Sequence, residues 1–264
     1  MRENSSDGRD AVDPAALASL LAFWSDAGVD TALADDPVDR LAERRPKPVP
    51  AAAPAPVRAP GPAAVGAAAL QTRVQAAGEA ASSVADLAAL ATAAAAFFDL
   101  AQGPVVFGRG ATDASVLVVG DAPTADDEAE SQAFAGAAGR LLDRMLAAAG
   151  LGERAWLTHT VLQRPSAGTT SPEQVAVAAP FLERAADLLA PRAVLLLGDG
   201  PVRSLLGQGG GVLTLRGRWS EWRGLPVLAT FPPGFLLRQP LAKRQAWQDV
   251  LTLEARLDRP DPGS

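Results

Sequence analysis

The chain has 264 residues, 48% of them hydrophobic, with a formal net charge of -6; it is long enough to bury a core, and its sign opposes whole-surface attraction to nucleic acid or acidic lipid. It holds no cysteine and a single histidine, His159. Disulfides, thiolate nucleophiles, cysteine-type zinc sites, iron-sulfur clusters and histidine-rich metal sites are therefore excluded by composition. No run of about 18 apolar residues suggests a membrane span, and the polar start MRENSSDGRD lacks the apolar stretch of a signal peptide, so no membrane is expected as partner and the cytoplasm is the expected location.

Residues 1–45 read as a helical appendage: Asp13-Pro14 is a helix-start signal, and Leu17, Leu20, Leu21 and Trp24 follow at helical spacing. It is either a tag-like extension or a helix that docks a protein partner. The proline- and alanine-rich stretch 46–66 cannot bury a core and suits a semi-rigid linker. Residues 67–264 read as one globular domain. In it, an alanine-rich helix at 83–98 precedes four short apolar runs, 116–119, 155–160, 193–197 and 227–230, which read as buried strands. Helical patterns are expected at 136–149, 172–189, 202–206 and 241–257. Strands alternating with helices imply an α/β fold of right-handed βαβ units, its mainly parallel sheet covered on both faces. Ligands bind such sheets beyond the carboxyl ends of the strands. That rim would carry the loops 120–124, 159–170, 198–201 and 231–238.

In the first of these loops, Asp121 is a candidate general base able to hold a water, or else an Asx-turn or helix-capping aspartate. Gly136 and Gly139 open a helix, either as an anion site or for close packing. Phe134 is a buried anchor or a stacking platform for a flat ring. His159 ends a strand, either as a structural residue or as a donor that can exchange a proton. Between 216 and 244 lie Arg216, Arg218, Arg223, Arg238, Lys243 and Arg244 against one acid, Glu221, with Trp219 and Trp222 among them. This is a nucleic-acid patch or a solvated surface. The last loop, TFPPGFLLRQP from Thr230, holds no side chain that can move a proton.

Taken in order, VVFGRG, VGDAPTADDEAESQAFAGAAGRLLDRML, LTHTVLQRP, APRAVLLLGDGPVRSLLG, LRGRW and ATFPPGFLLRQPLAKRQAWQDV resemble the uracil-DNA glycosylase superfamily, most closely its family 4 enzymes. The resemblance implies a three-layer α/β/α sandwich with a four-stranded, mainly parallel sheet. It implies a monomer whose partner is single- or double-stranded DNA carrying uracil or another damaged base, and a role in base-excision repair. Such enzymes flip the nucleotide into a pocket and cleave the base-deoxyribose bond through an oxocarbenium-like transition state.

Carried over by motif, Asp121 takes the place of the catalytic glutamate, and Ala122, Pro123 and Phe134 belong to the base site. The base-reading asparagine falls on His159, which cannot copy the paired donor and acceptor of an amide. The histidine of the H-P-S motif falls on Pro232. Arg164, Pro233, Gly234, Arg238 and Lys243 would contact DNA. The four cysteines that hold the family's iron-sulfur cluster fall near Ala95, Phe98, Gln163 and Ala178 or Ala179, so no cofactor or metal is expected and apolar packing would replace the cluster. Two functions follow from this pattern: a glycosylase of weakened activity, or a catalytically inactive module that binds DNA or a repair partner.

Overall fold

The computed structural model describes residues 62–99, 102–207 and 210–258. The expected N-terminal helix, its partner-docking role and most of the linker lie outside the described residues. In chain order the elements are α1 (Pro62–Ser82), α2 (Leu87–Phe97), β1 (Arg109–Gly110), β2 (Val116–Gly120), α3 (Ala125–Glu130), α4 (Gly136–Ala148), β3 (Ala155–His159), α5 (Pro172–Leu189) and β4 (Ala193–Leu197). They continue with α6 (Asp199–Leu206), α7 (Val212–Leu215), β5 (Trp219–Trp222), β6 (Leu225–Thr230), α8 (Pro233–Arg238) and α9 (Lys243–Leu257).

The four expected strands pair in parallel in the order β3-β2-β4-β6. Two short strands extend the sheet to six: β1 runs antiparallel to β3, and β5 antiparallel to β6. The β5–β6 hairpin turns at Arg223 and Gly224, both with positive φ (51° and 79°), as a tight hairpin turn that follows the strand twist requires. Successive residues of each central strand face opposite layers. Leu117, Val119, Val194, Leu196, Val227 and Ala229 pack with α1, α2 and α5. Val116, Val118, Leu195, Leu197 and Leu228 pack with α4 and α9. The result is the three-layer α/β/α sandwich that the resemblance implies.

Helix α1 begins at Pro62, inside the stretch read as linker. Its alanines are strong helix formers with little apolar signal of their own, and Ala77 and Ala81 are buried in the same cluster as the apolar face of α5. Helix α5 runs where its pattern predicts, started by a capping box of Ser171 and Gln174 with Pro172 in the first turn. From β2 the chain crosses to β3 on one side and later to β4 on the other. A crevice therefore opens at the carboxyl ends of β2 and β4, the switch point where α/β sheets bind ligands.

Candidate active site

Three loops wall a cavity of about 420 Å³ at that switch point, following β2, β4 and β6. Register places Gly120 of β2 beside His159 of β3 and Leu197 of β4 beside Thr230 of β6. Asp121, directly after β2, is exposed and lines the cavity. The cap of the following helix is Thr124, whose hydroxyl accepts the Asp127 amide while the Asp127 side chain accepts the Thr124 amide, so Asp121 is released from capping. The Thr170 hydroxyl donates to Asp121 Oδ1 at 3.3 Å. The carboxylate lies against Gly200, where any Cβ would overlap it.

Phe134 is held in the left-handed region (φ 55°), a conformation that costs a bulky residue about 1–3 kcal/mol. Its surroundings enforce it. Arg109 donates to the carbonyls of Ala133 (2.7 Å) and Phe134 (3.3 Å). A Cβ on Gly139 would overlap the Phe134 carbonyl, and one on Gly136 would overlap the Asp126 carboxylate. The two glycines thus serve close packing, with the protein's own Asp126 beside the start of α4. Asp127 is 1% exposed and accepts from the amides of Thr124 (2.7 Å) and Ala135 (2.5 Å). Burial alone raises its pKa, but His159 and those two amides outweigh burial and hold the carboxyl below its ordinary value of 3.8.

His159 is 3% exposed. Its Nε2 lies 3.4 Å from Asp127 Oδ2, longer than an aligned hydrogen bond, and both ring nitrogens are buried without a hydrogen-bond partner. The imidazole packs on Phe134, with centroids 4.4 Å apart and planes inclined by 32°.

Across the cavity, β4 is followed by Gly198, the cap of α6, then by Asp199 and Gly200 in its first turn, with Arg203 one turn along. Pro232 packs over Gly198, leaving 3.1 Å between its Cγ and a Cβ added there, and it offers no proton donor. The loop after β6 is anchored by the Thr230 hydroxyl, which donates to Asp249 Oδ2 at 2.7 Å. Arg216 donates to both oxygens of the same carboxylate at 3.0 and 3.1 Å and stands 5.2 Å over the Phe231 ring. Burial pushes the Asp249 carboxyl up by more than Thr230 and Arg216 pull it down.

Of the expected site residues, Asp121, Ala122, Phe134, His159, Pro233, Gly234 and Arg238 line this cavity. Pro123 is buried and, like Arg164 and Lys243, does not line it. Arg164 pairs with Glu128 at 2.6 Å. The basic patch is partly neutralised: besides Arg216, Arg223 pairs with Glu183 and Asp187, both at 3.0 Å. Among the described residues Arg218, Arg238, Lys243 and Arg244 have no ion-pair partner, and Trp219 and Trp222 lie under Arg256 and Arg223. Asp127, Asp199 and Arg203 are cavity residues that the sequence reading passed over. The spacing Thr124-x-x-Asp127 is a capping-box signature that could have drawn attention to Asp127.

The positions to which the resemblance assigns cluster cysteines carry no thiolate, the ligand that an iron-sulfur cluster requires, because the chain has no cysteine. The region is packed instead by Phe97, Phe98 and Phe181, whose ring centroids lie 5.3, 5.5 and 5.6 Å apart. Gln163 Nε2 donates to the carbonyls of Asp99 (2.9 Å) and Gly103 (2.6 Å).

A three-layer α/β/α domain with a cavity at its switch point, walled by a strand-end carboxylate and a strained phenylalanine, defines an α/β protein with a ligand site at the carboxyl edge of its sheet. The chain belongs to the uracil DNA glycosylase superfamily, whose family model matches residues 107–251. It is 30% identical over 138 residues to the Type-4 uracil-DNA glycosylase of Thermotoga maritima, covering 51% of this chain and 72% of that protein. Proteins of the same description from Sulfurisphaera tokodaii (26% over 155 residues, 54% of this chain and 70% of that protein) and Pyrobaculum aerophilum (29% over 160 residues, 54% and 78%) are similar to it as well. Among the described residues no helix is long and apolar enough to cross a membrane.

Proposed function

We propose that this protein acts in DNA base-excision repair as a uracil-DNA glycosylase of weakened activity, releasing uracil or another damaged base from DNA. The observation that carries the reading is Asp121: an exposed carboxylate, free of capping duty, on the wall of the switch-point cavity. Thr170 and Gly200 fix its position. From there it serves the sugar side, either stabilising positive charge as the glycosidic bond breaks or orienting the attacking water. Asp121, Gly200 and Arg203 also border an adjoining cavity of about 630 Å³ lined by Thr169, Thr170 and Ser204 together with Pro172, Val175 and Ala179, which offers the strand room beside the site. The leaving base lacks the donor that Pro232 cannot supply, and loss of one such donor costs about 100- to 1000-fold in rate.

The cover that His159 places on Phe134 favours a second reading, a non-catalytic module that binds DNA through Arg238 and Lys243 or a repair partner through residues 13–45. Base release from a uracil-containing single-stranded oligonucleotide, with Asp121→Asn run in parallel, separates the two. Release that disappears in the variant supports the enzyme. No release from a folded protein that still binds the strand supports the module.

A further inference from the structure

We propose that His159, packed beside Asp127, occupies the face of Phe134 on which a flipped base would stack, and so determines what enters the base slot. The inference rests on the reading of the cavity as a base site. Its geometry comes from three elements. Register brings the end of β3 beside Gly120, and glycine there is what admits both rings: a Cβ would sit 2.6 Å from Phe134 Cζ and 2.8 Å from His159 Nδ1. Phe134 cannot turn away, because its backbone is locked by Arg109 and by the Asp127–Ala135 hydrogen bond. Asp127, itself 1% exposed, stands at the edge of the imidazole, 3.4 Å from Nε2.

The ring is thereby held by an aromatic face on one side and a buried carboxylate at its rim. A base stacked on that face needs atoms at about 3.5–4.0 Å from the ring, the space that the imidazole fills at a centroid distance of 4.4 Å. The two cannot be there together. Nor does the imidazole read a base from this position, since both its nitrogens are buried. His159 is a stand-in for the base. A ring reaches the slot only by displacing the histidine or in a variant that lacks it.

The single histidine makes the test direct, because its ring protons give one assignable set of NMR signals. Free uracil is the probe, titrated into the full chain and into His159→Asn and His159→Ala. The wild-type ring signals should carry the ring-current shift of Phe134. Both His159 variants should bind uracil about 5- to 150-fold more tightly than the wild type, the equivalent of about 1–3 kcal/mol of base-aromatic stacking. Equal uracil affinity in the wild type and both His159 variants overturns the proposal, as does uracil binding to the wild type with the histidine signal unmoved. If one His159 variant fails to fold, the other keeps the comparison with the wild type. Base release, measured separately, keeps the functional reading distinct. Uracil binding by His159→Ala without release by any form upholds the slot inference and removes the glycosylase. Asp121-dependent release by a wild type whose histidine signal stays fixed under bound uracil does the reverse.

Discussion

Phe181 offers the sharpest test of how aromatic packing holds α2 and α5 together. It is fully buried, and its ring touches Phe97 at 5.5 Å and Phe98 at 5.6 Å, so it joins α2 to α5. Truncating a buried phenylalanine to alanine costs about 3–5 kcal/mol through lost transfer energy and the cavity left behind. Two aromatic neighbours put the expected loss in the upper half of that range, about 4 kcal/mol. With a urea dependence of about 2 kcal/mol per molar, the unfolding midpoint should fall by about 2 M. Phe181→Leu, which keeps most of the volume, should cost less than about 1.5 kcal/mol. The assay is equilibrium urea unfolding followed by tryptophan fluorescence, with and without a metal chelator. A midpoint shift in Phe181→Ala below about 0.5 M, or a wild-type midpoint that falls on chelation, refutes the claim that aromatic packing bridges these helices.

Three further outcomes follow from the site. Pro232→His should raise Asp121-dependent base release above wild type, measured on the single-stranded oligonucleotide; an unchanged rate means that no base reaches that loop. Arg238→Glu combined with Lys243→Glu should weaken binding to undamaged single-stranded DNA, and each phosphate contact removed should flatten the log-log salt slope by about 0.7; an unchanged slope rules those residues out as phosphate contacts. The pH dependence of stability should carry two opposite contributions. The folded-state pKa of Asp127 is lowered, so its contribution is present above the unfolded value of 3.8 and lost as pH falls through the folded one; Asp127→Asn should remove that acid-side loss in urea midpoints taken from pH 2 to 5. Asp249 is raised, so its contribution is full below 3.8 and lost as pH rises through its folded value, and Asp249→Asn should flatten that limb.

Strands and long helices were legible because burial on both faces writes a strand as a continuous apolar run, as in Val116 to Val119 or Ala193 to Leu197. Helix α5 announced itself through Ser171, Pro172 and Gln174. Helix α1 did not, since alanine packs well against α5 yet leaves almost no hydrophobic periodicity. The edge strands were too short for an alternation to emerge; β1 has two residues. In the site, Asp121 and Phe134 were found by their motif, while Asp127 looked like one acid among several in TADDEAE.

The amino-acid sequence by itself determined the fold class, the family, the absence of thiolate ligands and the absence of a proton donor at Pro232, because each depends on which residues exist and in what order. The tertiary structure decided which of those residues meet. It placed the imidazole of His159 on Phe134 and the carboxylate of Asp127 beside it, and it committed Arg216 and Arg223 to buried or surface acids rather than to a free basic face. Such pairings join residues tens of positions apart, and strand register, backbone strain and the missing Cβ of Gly120 and Gly139 set them; none of these is written in local sequence pattern.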